Sequence, residues 1–441
     1  MGSDFSIDRL LEHTRVLSVE YPDRFMGEPQ EGLAAAYVAR QFEAYGAEVE
    51  VEEIPVLGFD LEAEPRLEVL RPEALSLDCA PCFYSGSTPV GGCEGRLIYV
   101  GEDFAGSGPV YKGEKADTWP KYGIVTEGGK KPACLVLSRP KGPVIARNGP
   151  PAGSTVQTNG PMYTWPSCTV GQADGEKLRA WTEAGEVITA RYFAQTRVKP
   201  QCATTVVRGE IRGSKYPEEV VILGAHHDSV GAFGMPPAVN SPGACDNASA
   251  VSILIELARL YARERPARTL WLCSFGGEER HLIGSSAYAR MLNESGQLSR
   301  VIAYLGVDQA AYGDVLRLLS SEREPHLDPQ INLREIMSAA AGELRLPERF
   351  NTYGPGPVHA ASDHWPFFYA GIPAFLTGWH PFAGWHRHTD TFDRCTEDES
   401  YLATADLLQR MLQHVCDLPE IGRIERSPAA GYVLYPTAVE P

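Results

Sequence analysis

The chain has 441 residues, 43% of them hydrophobic, enough for a large core and more than one domain. With 40 basic residues against 57 acidic ones the formal charge is −17, and no local basic patch stands out, which argues against nucleic acid as a partner. Ten cysteines are scattered along the chain, and Cys79 and Cys82 form its one C-x-x-C pair, so reduced thiols are expected rather than a disulfide or structural-metal framework.

The opening MGSDFSIDRLLEH lacks a positively charged segment followed by an apolar run, and no stretch reaches transmembrane length. A cytoplasmic protein without a membrane partner is the expectation. Residues 6–20 place Ile7, Leu10, Leu11 and Leu17 on one helical face, with Ser6 available as N-cap. Residues 31–45 carry a second stripe of Ala34, Val38, Phe42 and Tyr45, and Gly46 is a natural stop. From roughly 64 to 200 the texture changes: Gly- and Pro-rich segments separate short strand candidates (GRLIYVG, ACLVLSR, VITARYFA), with one helix at 173–183. The expected organisation is therefore a main domain of residues 1–63 and 201–441 interrupted by a mainly β insert of residues 64–200.

From 218 onward strand and helix patterns alternate: EVVILGA, a helix bearing Val251, Leu254, Ala258 and Tyr261 and ended by Pro266, TLWLCSF, a helix near 283–293, VIAYLGV and IPAFLT. Alternation of this kind predicts an α/β fold with a mixed, largely parallel sheet covered by helices on both faces. Every one of these strands leads into polar residues. EVVILGA runs into His226, His227 and Asp228; TLWLCSF into Glu278 and Glu279; VIAYLGV into Asp308; IPAFLT into a loop with His380, His386 and His388. Ligands of open α/β sheets bind beyond the carboxyl ends of the strands. Neighbouring residues at a strand end point to opposite sides, so His226 and His227 cannot easily share one task.

A fifth candidate, Asp246, lies in PGACDNASA at the start of a helix, where Asn247 or Ser249 could serve as cap and Asp246 could simply sit near the helix dipole. Acids at buried strand ends are costly unless paired or metal-bound. An inventory of imidazole and carboxylate without thiolate suits zinc in a hydrolytic site. Two ions bridged by one carboxylate would use five such residues and leave a sixth to take a proton from water.

In this order, GAHHDSV, PGACDNASA, FGGEE, YLGVD, SDHWPFFYAGIPA and HRHTDT resemble the di-zinc aminopeptidase family, which includes bacterial leucyl aminopeptidases and plasma glutamate carboxypeptidase and, more distantly, transferrin receptor and glutaminyl cyclase. SVEYPDRFMGEP resembles the family's opening segment, and CTVGQADGEKLRAW resembles the tail of its protease-associated insert. The resemblance implies a three-layer αβα zinc exopeptidase fold carrying that insert. It implies one zinc held by His226, Asp246 and Asp308, and a second by Asp246, Glu279 and His386, with cobalt or manganese as alternative ions. Glu278 becomes the general base and Asp228 the carboxylate that orients the His226 ring, while His227 falls on the variable position. His386 fits the family's spacing to Asp390 and Thr391, which His388 and His380 do not. Cys245 and Gln309 depart from the family pattern.

The implied function is a zinc-dependent exopeptidase acting on peptides through a water activated by two metals, an aminopeptidase first, with a carboxypeptidase or dipeptidase as the alternative and a non-catalytic binding module as the remaining one. Trp379, Trp385, Phe382, Phe233, Tyr312 and Tyr353 lie in or near the motif loops, as walls of an apolar substrate pocket or as loop anchors. The oligomeric state is left open.

Overall fold

A computed structural model of the protein describes residues 3–82, 84–104, 118–138, 165–231, 241–280, 282–320, 331–346, 362–379, 382 and 384–424. The elements in chain order are α1 (Ile7–Arg15), α2 (Pro29–Ala44), β1 (Glu48–Arg71), β2 (Leu75–Leu77), β3 (Cys79–Pro81), β4 (Cys93–Phe104), β5 (Thr118–Val125), β6 (Cys134–Ser138), β7 (Ser167–Val170), α3 (Gln172–Glu183), β8 (Thr189–Ile211) and β9 (Tyr216–His226). They continue with α4 (Ser249–Arg263), β10 (Arg268–Phe275), α5 (Ile283–Glu294), β11 (Val301–Val307), β12 (Leu316–Ser320), α6 (Leu333–Leu344), α7 (His364–Tyr369), β13 (Ala374–Trp379) and α8 (Asp398–Asp417). The described residues of Met1–Val56, Ala203–Gly231 and Ser241–Thr437 form one unit, and those of Leu57–Cys202 a second.

In the first unit β9 is central. It pairs in parallel with β10 and β11, β11 pairs in parallel with β13, and β12 and the end of β8 close the two sides antiparallel. Every residue from Val220 to His226 is buried, as expected of a strand covered on both faces. Val221, Leu223 and Ala225 point to a core shared with Val251, Leu254 and Ala258 of α4 and Leu408 and Leu412 of α8. Each such side chain taken out of water contributes roughly 1.5–3 kcal/mol before ordering costs. The opposite face is aromatic: Phe275 lies 6.1 Å from both Tyr288 of α5 and Phe367 of α7, and Tyr304 stacks on Phe367 at 4.8 Å. Helix, sheet and helix are thus the three layers.

Two buried polar clusters fix the helices on the first layer. The Thr14 hydroxyl in α1 meets Ser252 of α4 at 3.0 Å and Tyr401 of α8 at 2.7 Å. Glu31 in α2 accepts from Thr204, Thr205 and the ring of His227, all through one carboxylate oxygen. Ser6 precedes α1 as anticipated, but its side chain makes no capping bond.

The second unit is mainly β. Strands β4, β5 and β6 pair antiparallel, β7 joins β6 in parallel and β3 pairs antiparallel with β7, while β2 pairs with β1. Tyr122, Ile124, Val136, Cys168, Leu178 and Tyr192 lie in its core. Among the described residues no helix is long and apolar enough to cross a membrane.

Candidate metal centre

In the first unit, strand register brings the ends of four strands close to level. Phe275 of β10 and Gly306 of β11 stand opposite His226 and Gly224 of β9, and Val307 stands opposite Thr377 of β13. His226 ends β9, Glu278, Glu279 and Asp308 come one to four residues past β10 and β11, and Asp246 and His386 lie in the segments that follow β9 and β13. His226 Nε2 lies 3.3 Å from Asp246 Oδ1 and 3.5 Å from Asp308 Oδ1, with Glu278 Oε2 at 3.9 Å. His386 Nε2 lies 3.2 Å from Glu279 Oε2 and 3.5 Å from Asp246 Oδ2. His226, Asp246 and Asp308 therefore form one group of donors and Asp246, Glu279 and His386 a second, with Asp246 common to both.

Loop chemistry explains why Asp246 stands between the two groups. Gly243, at φ +64°, makes a turn in which a Cβ would sit 2.2 Å from the Asp246 carbonyl oxygen, so no other residue fits without displacing the loop. Asp390 then accepts from the backbone N–H of Cys245 at 2.8 Å and of Asp246 at 3.1 Å. Arg24, fully buried, donates to the carbonyls of His227, Pro242 and Gly243 and to those of Leu17 and Tyr21. Burial pulls its guanidinium down to about 10, against the nearby acids Asp228, Asp390, Asp246 and Glu279. Neither Asn247 nor Ser249 caps α4. Asn247 accepts from the N–H of Gln309, and Ser249 bonds to the carbonyl of Cys245 and the N–H of Ala310.

Asp228 lies with its Oδ1 3.4 Å from His226 Nδ1, and the same ring nitrogen is 3.2 Å from its carbonyl oxygen. Its two carboxylate oxygens also accept from the N–H groups of Glu278 and Glu279, at 3.2 and 3.1 Å. A single buried acid thus orders the histidine and both glutamates. His227 turns the other way, to Ser274 at 2.9 Å and Glu31 at 3.0 Å.

The electrostatics ask for positive charge. Burial pushes the Glu278 carboxyl well above its usual range, helped by Glu279, Asp308 and Asp363 and opposed by His226. Burial likewise raises Asp308 and brings Asp390 and Asp363 up to about 7. For His226 burial works downward, yet Glu278, Asp228, Asp246 and Asp308 outweigh it and hold the imidazole well above its ordinary value. Desolvation disfavours an ionised Asp246 too, and the two histidines more than reverse it. His226 Nε2 and Asp308 Oδ1 are buried without a hydrogen-bond partner. Buried polar atoms that converge unbonded on acids are what a divalent cation would satisfy.

Of the remaining sequence candidates, His388 is exposed and belongs to neither donor group, and His380, Phe233 and Tyr353 lie outside the described residues. Trp379 and Phe382 are buried anchors, the former donating to Thr404 at 2.9 Å. Trp385 is 43% exposed and its ring lies 4.3 Å from that of His386, while Tyr312 is 37% exposed. The sequence pattern assigned no role to Arg24 or Asp390, although both stand inside the motifs quoted above.

The description "Peptidase family M28" matches residues 206–411, a span that holds both donor groups together with Asp228 and Glu278. Aminopeptidase YwaD of Bacillus subtilis is 32% identical over 196 residues, 43% of this chain and 39% of that protein. Probable glutamate carboxypeptidase LAMP1 of Arabidopsis thaliana is 30% identical over 212 residues, 44% of this chain and 28% of that protein. The chain spans well under half the length of these curated relatives. Among solved structures, an aminopeptidase from Aneurinibacillus sp. strain AM-1 superposes with a TM-score of 0.65 at 23% identity, over 95% of this chain and 98% of that one. The α/β fold is the one found in that structure.

Proposed function

We propose that this chain, whose residues 206–411 match peptidase family M28, is a zinc-dependent exopeptidase, an aminopeptidase releasing N-terminal residues. The observation that carries the reading is the sharing of Asp246: one carboxylate presents Oδ1 to His226 and Oδ2 to His386, with a further acid in each group. The names of the Bacillus and Aneurinibacillus proteins agree with an aminopeptidase.

His226, Asp246 and Asp308 would hold one ion and Asp246, Glu279 and His386 the other. When bound, two zinc ions supply Lewis acidity to the scissile carbonyl and acidify the attacking water. The remaining work falls to side chains. Asp228 keeps the His226 ring in place and, through two backbone N–H groups, fixes where Glu278 and Glu279 begin. Glu278, whose Oε2 stands 3.9 Å from His226 Nε2 and which is in neither donor group, acts as general base: it takes a proton from the water and delivers it to the leaving amine. Trp385, exposed beside His386, would offer an apolar wall to a substrate side chain.

A carboxypeptidase or dipeptidase is the second reading, favoured by the name of the Arabidopsis relative and by Arg387, a half-buried cation next to His386 that suits a terminal carboxylate. A panel of chromogenic substrates with either a free α-amine or a free α-carboxylate separates the two. The proposal expects hydrolysis of the free-amine set, loss with a chelator, recovery with zinc, and a fall in kcat of about 10²–10⁴-fold in Glu278→Gln with zinc content unchanged. Turnover confined to the free-carboxylate set favours the second reading, and turnover indifferent to chelator overturns both.

A further inference from the structure

The two donor groups are chemically matched, each with one imidazole and two carboxylates, so any difference in their grip on an ion must come from what surrounds them. One such neighbour is Gln309, which comes directly after Asp308. Gln309 is held in the left-handed region, φ +62°, by bonds on both sides: its N–H donates to Asn247 at 3.1 Å and its carbonyl accepts from the N–H of Trp379 at 2.9 Å. Opposite it, a Cβ on Gly378 would fall 1.6 Å from the Asp308 carbonyl oxygen, so the chain has no latitude to turn elsewhere. The side chain, only 6% exposed, then reaches Asp246: Nε2 lies 3.4 Å from Oδ2, the oxygen on the His386 side. Its Oε1 accepts from Nη2 of Arg317 on β12, also at 3.4 Å.

The amide orientation is fixed by its two neighbours, because a guanidinium only donates and an ionised carboxylate only accepts. Gln309 therefore stands as a neutral relay between a cation and one oxygen of the shared acid. An arginine in direct contact would compete with an ion for Asp246, and an apolar side chain would leave Asp246 untouched. The carboxamide does neither: its N–H, polarised by Arg317, draws charge from Oδ2 and spares Oδ1. On the other side, Asp228 at the ring of His226 makes that ligand more basic.

Resting on the two-ion reading above, we propose that Gln309 is a positioning residue which, backed by Arg317, makes the two ion sites unequal, with the ion of Asp246, Glu279 and His386 held more weakly than that of His226, Asp246 and Asp308. The test is a titration of zinc-free protein with zinc against a chromogenic chelator, in wild type, Gln309→Met, Arg317→Met and the double variant. Wild type should show two constants, and His386→Ala should remove the weaker and keep the stronger. Gln309→Met, by returning charge to Oδ2, should leave the stronger constant unmoved and tighten the weaker by about 10-fold, the lower end of the scale on which hydrogen bonds to a ligand move metal affinity in either direction. Arg317→Met should shift it the same way, and in that background Gln309→Met should add little, the signature of one path rather than two. Because Arg317→Met changes a half-buried residue of an edge strand, it keeps the test open should Gln309→Met fold poorly. Two constants that neither variant tightens selectively, or loss of the stronger one in His386→Ala, overturns this inference alone. Uptake of a single ion by wild type overturns the two-ion reading and this inference with it.

Discussion

His226 and His227 share a peptide bond and face opposite sides: one ring meets Asp246 and Asp308, the other Ser274 and Glu31. Their substitutions should therefore separate two properties. His226→Gln should lose one equivalent of zinc, measured after dialysis. His227→Ala should keep its zinc and lose about 1–3 kcal/mol of stability, because Glu31 and Ser274 are left buried with a partner removed. The reverse pattern would contradict the assignment. Period-two geometry made the division of labour between the two rings readable from the sequence. The resemblance favoured His386 by its spacing to Asp390, and His386 is the histidine whose ring lies beside Glu279 and Asp246. The work of Asp390 itself was not, since it acts on the N–H groups of Cys245 and Asp246, and backbone donors leave no mark on a sequence. Gln309 stood out as a departure, but its contact with Asp246 depends on a left-handed backbone that only the fold reveals.

At the scale of elements, β9, β10, β11 and β13 arise from short β-branched and aromatic runs, and their level carboxyl ends from parallel pairing. Helix α8 was not among the expectations. Tyr401, Leu408, Leu412 and Val415 make a stripe, but it is diluted by two buried polar residues, Ser400, whose hydroxyl donates to Glu397, and Thr404, whose hydroxyl accepts from Trp379. The N-terminal segment poses a similar case. YPDRFMGEP could be matched as a motif, yet the task of Arg24, tying the segment after α1 to the loops around His227 and Gly243, lies in five carbonyl acceptors. Arg24→Met should strip these of their donor and cost about 3 kcal/mol or more. Since two of those carbonyls flank the turn leading to Asp246, zinc affinity should fall with it, and a variant of normal stability and normal zinc affinity would refute this role.

For the molecule as a whole, an acid-sensitive contribution to stability is predicted at His13, which belongs to neither donor group. His13 is buried in α1 with its Nδ1 2.7 Å from the Tyr37 hydroxyl, and burial pulls its pKa down to about 4 from an ordinary 6.5. Between those values the unfolded chain binds the proton and the folded one does not. This contribution to stability is therefore complete above 6.5 and is lost as the pH falls toward 4, at most about 3 kcal/mol in all. Urea titrations from pH 4.5 to 7 should show a steeper slope in wild type than in His13→Gln, and equal slopes would remove His13 from the explanation. At the centre of the proposed chemistry, residues far apart in the chain gather to hold two ions through one shared carboxylate. A zinc-edge anomalous difference map from crystals of the zinc-loaded protein tests this most directly. Two peaks about 3.5–4 Å apart are predicted, one against His226, Asp246 and Asp308 and one against Asp246, Glu279 and His386. A single peak, or zinc bound away from Asp246, would contradict it.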